Sequence, residues 1–155
     1  MPVDVVNISK LVASVLHYDE FRPQAGIVNY YHLNSTLSVH QDYSEKNHEA
    51  PLISMSLGSS AIFLIGNENR MSKPSALYLK SGDILIMSGK SRLAYHAVPK
   101  ILANEQLAST YFTYDKSSDP LVTSQCCYVD DSEWSSIFDY IKVNRINLNI
   151  RQVYF

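Results

Sequence analysis

Residues 52–65 read Leu52-Ile53-Ser54-Met55-Ser56-Leu57-Gly58-Ser59-Ser60-Ala61-Ile62-Phe63-Leu64-Ile65, two short apolar runs parted by small polar residues. Neither run is long enough for a helix that buries one face, so the stretch reads as two strands with a turn at Ser59-Ser60. The same signature continues outward. Ala76 to Leu79 and Asp83 to Met87 follow it, and Gly26 to His32 and Thr36 to His40 precede it. These runs are apolar, often β-branched or aromatic, and bounded by turn residues such as Gly66-Asn67-Glu68-Asn69 and Ser81-Gly82. Such tight spacing leaves no room for crossover helices, so the pairing is expected to be mostly antiparallel. A sandwich or small barrel follows.

Helical periodicity is confined to the two flanks. Near the start, Ile8, Leu11, Val12, Val15 and Leu16 form a stripe that predicts a helix ending near Tyr18 and packing through those residues. Near the end, Trp134, Ile137, Phe138 and Ile141 follow Asp130, with Glu133 three residues after it in a capping-box arrangement. A helix at 131–142 is expected, with Trp134 as its core anchor. Positions 101–130 are polar and irregular apart from a candidate strand at Thr110 to Tyr114, and read as a long surface loop.

A chain of 155 residues, 46% of them hydrophobic, supports one domain with its own core and excludes two. Thirteen Lys and Arg against 15 Asp and Glu give a net charge of -2, so no global basic surface recruits nucleic acid or anionic membrane. Charge is local instead: Arg70, Lys73, Lys80, Lys90, Arg92 and Lys100 stand against Asp83 alone, while residues 101–140 are strongly acidic. Two solvated faces explain this at least as well as a phosphate track does. No apolar run approaches the roughly 20 residues of a membrane span. Asp4, Asn7 and Ser9 interrupt any secretory leader, and the only cysteines, Cys126 and Cys127, are adjacent and cannot cross-link distant segments. The expectation is an intracellular protein, its compartment undetermined.

Chemistry enters at His40 and Asp42, two apart at the end of a strand and therefore on one face. His96 is the third candidate. Two imidazoles and a carboxylate on one face of an octahedral Fe(II) leave three positions open, as an oxygenase requires, whereas zinc favours a tetrahedron. Taken alone the three residues fit equally a turn-bonding Asp and satisfied polar histidines. The tail adds a second cluster: Arg145, Asn147, Asn149 and Arg151 alternate with Ile146, Leu148 and Ile150. As a strand this turns four polar side chains to one side, and two guanidinium forks could bracket a dicarboxylate. The alternative is an exposed edge strand whose charges block aggregation.

In their order these residues resemble the AlkB family of Fe(II)- and 2-oxoglutarate-dependent dioxygenases. The resemblance rests on Asn29-Tyr30-Tyr31, His40-Gln41-Asp42, Ser81-Gly82-Asp83, Ser91-Arg92-Leu93, His96 and Arg145-x-Asn147-x-x-x-Arg151. The wording of Ala25 to Tyr31, Ser60 to Leu64, Ile86 to Gly89 and Arg151 to Val153 is most similar to the eukaryotic AlkB homologue 1 branch. It implies a double-stranded β-helix, a jelly-roll variant, with His40, Asp42 and His96 as iron ligands. Arg145 with Tyr31 would hold the distal carboxylate of 2-oxoglutarate. Asn29 and Arg151 would lie near its keto-acid end, and Asn147 would support the pocket. The implied reaction is oxidative demethylation of N-methylated bases in tRNA or DNA, releasing succinate, carbon dioxide and formaldehyde. Apart from the resemblance, Arg92 and the basic stretch could face a substrate phosphate.

Two departures keep alternatives open. Bacterial AlkB carries an acidic residue two places after the metal-binding aspartate, where this chain has Ser44 followed by Glu45. Only 28 residues precede Asn29, so the chain reads as one domain shortened at its N-terminus and lacking the upstream lid. The alternatives are an oxygenase of the same fold acting on a protein or small molecule, and a catalytically silent binding module. His17, His32 and His48 read as surface or turn residues rather than ligands.

Overall fold

The structure, a computed structural model, describes residues 1–103 and 131–155. Helix α1 (Val3–Val15) leads into β1 (Ala25–His32), β2 (Leu37–His40), β3 (Leu52–Gly58), β4 (Ser60–Ile65), β5 (Ser75–Leu79) and β6 (Ile84–Met87). A single 3-10 turn (Gly89–Ser91) precedes β7 (His96–Leu102), and helix α2 (Asp131–Val143) runs into β8 (Asn144–Arg151). The strands form two four-stranded sheets, ordered β1-β8-β3-β6 and β2-β7-β4-β5, with antiparallel pairing throughout. Because the chain crosses repeatedly from one sheet to the other, this is the double-stranded β-helix, the expected jelly roll.

Alternation along each strand decides what lies between the sheets. Leu52 of β3, Phe63 of β4, Leu79 of β5, Met87 of β6 and Val98 and Ile101 of β7 meet in an apolar cluster there. Ile53 of β3 and Ile150 of β8 face the other way and are covered by Ala13 of α1 together with Phe21 and Ala50. Period-two geometry thus gives the first sheet two buried faces.

The first helix is present but packs differently from the expectation. Ser9 and Ala13 are its buried residues, while Leu11 and Val15 are 64% and 70% exposed. Small residues let the helix axis approach the sheet, whose own isoleucines supply the bulk. The Ser9 hydroxyl is satisfied by donating to the Val5 carbonyl at 2.6 Å. The helix closes in a Schellman arrangement, with Tyr18 N–H on the Ala13 carbonyl and His17 in the left-handed region at φ 63. His17 is therefore a turn residue, as read.

Strand β7 overturns the reading of 101 and 102 as loop, since both residues belong to it. Pro99 and exposed Lys100 break its apolar pattern, and the structure absorbs them in a register shift against β4 between Ile62 and Leu64. Helix α2 matches its predicted span and buries Ile141 but leaves Ile137 exposed. The candidate strand at 110–114, the cap at Asp130 and the cysteines lie outside the described residues, as does the side chain of Trp134. Among the described residues no helix is long and apolar enough to cross a membrane.

The crossing from β3 to β4 depends on Gly58. Its φ is +78, and a Cβ there would stand 2.4 Å from the Asn144 carbonyl oxygen and 2.9 Å from that of Ile141. Gly82 has a similar φ of +90 with nothing within 4 Å. Urea unfolding should therefore separate them: Gly82→Ala loses about 1–2 kcal/mol for the left-handed backbone alone, and Gly58→Ala about 2–4 kcal/mol because overlap adds to it. Equal losses would contradict the close approach.

Candidate active site

All eight residues singled out in the sequence line one cavity of about 140 Å³ between the sheets: Asn29, Tyr31, His40, Asp42, His96, Arg145, Asn147 and Arg151. Strand register brings them there. His40 at the end of β2 is the direct cross-strand partner of His96 at the start of β7, and Asp42 follows His40 by two residues. In the opposite sheet, Asn29 pairs with Asn147 and Tyr31 with Arg145 across β1 and β8.

One ligand atom from each of His40, Asp42 and His96 lies within 4.8 Å of the other two. His96 Nε2 is 3.5 Å from Asp42 Oδ2, and His40 Nε2 is 4.0 Å from Asp42 Oδ1. The other ring nitrogens are already used: His40 Nδ1 donates to the Ser38 carbonyl at 2.9 Å and His96 Nδ1 to the Ala94 carbonyl at 3.0 Å. A carbonyl only accepts, so in the neutral ring the proton sits on Nδ1 and the Nε2 lone pair faces the carboxylate. That donor set suits a divalent cation, with each imidazole oriented by its backbone partner. Phe63 stacks on His96 with centroids 5.5 Å apart and walls that side with carbon.

The two arginines of β8 differ sharply. Arg145 is 2% exposed, and its terminal nitrogens reach only Ser56 Oγ at 2.7 Å and the Ser59 carbonyl at 3.4 Å. Its Nε is buried without a partner, and no described carboxylate pairs with it. Burial accordingly pushes its pKa down from the usual value, against the opposing pull of Tyr31 and Asp83. A buried cation without a counter-charge is expensive, which marks this end of the cavity as a seat for an anion. Arg151 shares the unpartnered Nε, but its charge is answered: it donates Nη2 to Asp42 Oδ1 at 2.7 Å and Nη1 to Glu45 Oε1. The picture of two free guanidinium arms is thus corrected to one, and the edge-strand alternative fails because β8 lies between β1 and β3.

Arg92 also departs from its reading. Far from facing a phosphate, it is 2% exposed and donates to the carbonyls of Ala50 and Asp42 and to Glu45 Oε2. It ties the loop after β2 to the segment before β7. Glu45 and Ser56 are residues of the site that sequence reasoning missed. No local signal tied Glu45 to arginines 47 and 106 residues away. Nothing in the sequence distinguished Ser56 from other strand serines. Asn147 donates to Ser54 Oγ at 2.7 Å and supports the wall between them. His32 bonds Asn144 at the sheet edge, outside the cavity.

Comparison with known proteins agrees with this geometry. Residues 1–151 match the family model described as the 2OG-Fe(II) oxygenase superfamily. The chain is 41% identical over 155 residues to the nucleic acid dioxygenase ALKBH1 of Homo sapiens, covering 98% of this chain and 40% of that protein. It is 39% identical over 146 residues to the tRNA demethylase abh1 of Schizosaccharomyces pombe, covering 94% and 42% respectively. The chain therefore spans about two fifths of the length of these relatives. Its fold is similar to a solved structure of OsALKBH1, with a TM-score of 0.67, 27% identity, and coverage of 98% of this chain and 66% of that one.

Burial alone would raise the pKa of Asp42, but His96, which can donate to it from Nε2 only when the ring is protonated, and the Arg151 charge outweigh it and hold the value down to about 2, against 3.8 ordinarily. The unfolded chain therefore takes up this proton first as acid is added. Asp42 stabilises the metal-free fold fully above about pH 4, and this contribution fades as the pH falls toward 2. Asp42→Asn should flatten stability against pH in that window, as followed by urea midpoints. An unchanged slope would show that Asp42 is not paired in the folded state.

Proposed function

The chain belongs to the 2OG-Fe(II) oxygenase superfamily, and from that premise we propose that residues 1–155 form one Fe(II)- and 2-oxoglutarate-dependent dioxygenase domain that demethylates N-methylated bases in nucleic acid. His40, Asp42 and His96 hold the iron. Arg145 with Tyr31 receives the distal carboxylate of 2-oxoglutarate, Asn29 and Arg151 lie toward the keto-acid end, and Asn147 steadies the wall between. The observation that carries this reading is Arg145, a buried guanidinium without a carboxylate partner in a cavity that the three converging ligand atoms also line.

When bound, iron and the keto acid supply the oxidation of an inert C–H bond, chemistry that protein side chains cannot perform. The protein's share is orientation and charge. Two histidines and Asp42 on one face leave the remaining positions for cosubstrate and oxygen. The Arg145 fork fixes the far carboxylate and so the direction from which 2-oxoglutarate approaches. Burial keeps Tyr31 protonated by raising its pKa, although Arg145 opposes this, so its hydroxyl remains a donor beside that carboxylate. Phe63 and the apolar wall exclude water from the reacting end.

The substrate class comes from the relatives, described as a nucleic acid dioxygenase in human and a tRNA demethylase in fission yeast. A methylated base in tRNA or DNA is the corresponding substrate here, and an intracellular protein is the reading that goes with it. Succinate release with methylated oligonucleotides is the direct assay. Wild type turns over, Asp42→Ala does not, and methylated RNA and DNA identify the preferred strand. Calorimetry with Mn(II) present tests the carrying observation: Arg145→Gln should weaken 2-oxoglutarate binding by about 10- to 100-fold, the loss of a buried charge pair, with Arg145→Lys intermediate. Unchanged affinity in both variants would remove Arg145 from the cosubstrate site.

A further inference from the structure

Behind the ligand face runs a chain of four buried charges, Arg92, Glu45, Arg151 and Asp42. Glu45, 6% exposed, accepts from Arg92 through Oε2 at 3.1 Å and from Arg151 through Oε1. Arg151 then passes its other nitrogen to Asp42 Oδ1 at 2.7 Å, leaving Asp42 Oδ2 toward His96. Arg92 returns to the same residue by donating to the Asp42 carbonyl at 2.8 Å. Two cations and two anions balance, and the guanidinium of Arg151 is shared between a carboxylate that would bind metal and one that does not. Whatever charge Glu45 draws from Arg151 is withheld from Asp42.

We propose that Glu45 is a positioning residue that divides the Arg151 charge and thereby sets the site's affinity for a cation against its affinity for an anion. This rests on the reading of His40, Asp42 and His96 as the metal site. Without the Glu45 charge, Asp42 alone answers Arg151, the carboxylate is a poorer metal ligand, and the cavity gains one positive charge. A divalent cation is then held more weakly and a dianion more strongly. Arg92 is the mirror of this arrangement. Removing it leaves Glu45 wholly to Arg151, relieves Asp42 and makes the cavity more negative, so both affinities move the other way. A residue that merely supported the fold would weaken both together.

The experiment is calorimetric titration of the metal-free chain with Mn(II), then of the Mn(II)-saturated chain with 2-oxoglutarate, on wild type, Glu45→Gln, Glu45→Asp and Arg92→Gln. Glu45→Gln should bind Mn(II) about tenfold more weakly and 2-oxoglutarate about threefold more tightly, a shift of the size expected when one charge beside a partly buried site is removed. Arg92→Gln should reverse both signs, and Glu45→Asp should lie near wild type. Far-ultraviolet circular dichroism identifies any variant that has lost its fold, and Glu45→Gln and Arg92→Gln each carry the test if the other unfolds. A variant that stays folded yet weakens both ligands, or changes neither, overturns the role given to Glu45. Wild type that binds no Mn(II) overturns the metal reading and this inference with it.

Discussion

The cross-strand pairing of His40 with His96 is the constraint from which the rest of the site follows. It sets two imidazoles side by side, with ring centroids 4.2 Å apart, before any ligand is considered, and it requires β2 and β7 to be neighbours. They are neighbours only because the chain crosses between sheets again and again. The backbone carbonyls at both Nδ1 atoms orient the two rings so that their Nε2 atoms face Asp42. Asp42, drawn in by Arg151, completes a face that hydrogen bonds hold in place.

That arrangement places charge where a β-sandwich ordinarily keeps its core. The inner face of β8 carries Arg145, Asn147, Asn149 and Arg151, while its isoleucines and leucine turn outward beneath α1 or toward solvent. Buried charges of this kind cost stability unless each is paired. Three of the four ionised groups on the ligand side are paired in the Glu45 chain, together with Arg92. Arg145 alone has hydroxyl and carbonyl partners but no anion among the described residues. The site is therefore stable at one end and incomplete at the other, which is the asymmetry expected of a pocket built for a ligand that brings its own negative charge.

Much of this was legible in the sequence because the relevant signals are local. Short apolar, β-branched or aromatic runs between turn residues located six of the eight described strands, and the alternating tail announced β8 together with its polar inner face. Strand β7 was invisible for a physical reason: Pro99 and Lys100 imitate a loop, and only the partner strand, with its shifted register, makes them a strand. Of the stripe on α1 only Val12 packs on the sheet, beside Val5, while Leu11 and Val15 face outward and the closest approach is made by Ser9 and Ala13, whose value lies in being small. Pairing between side chains far apart in sequence was the other blind spot. Arg92 looked like a surface cation in a basic stretch, and Glu45 like a loop carboxylate. Only the fold reveals that each is the other's partner, behind the face that carries the ligand atoms.

The central claim is that one cavity takes a divalent metal at His40, Asp42 and His96 and a dicarboxylate at Arg145. Crystals grown without oxygen in Mn(II) and 2-oxoglutarate, with diffraction collected to show the anomalous signal of manganese, test it most directly. The account predicts a single strong anomalous peak bonded to His40 Nε2, Asp42 and His96 Nε2, with the keto acid reaching from it to the Arg145 guanidinium. A peak elsewhere, or a dicarboxylate that leaves Arg145 without an anion, would contradict it.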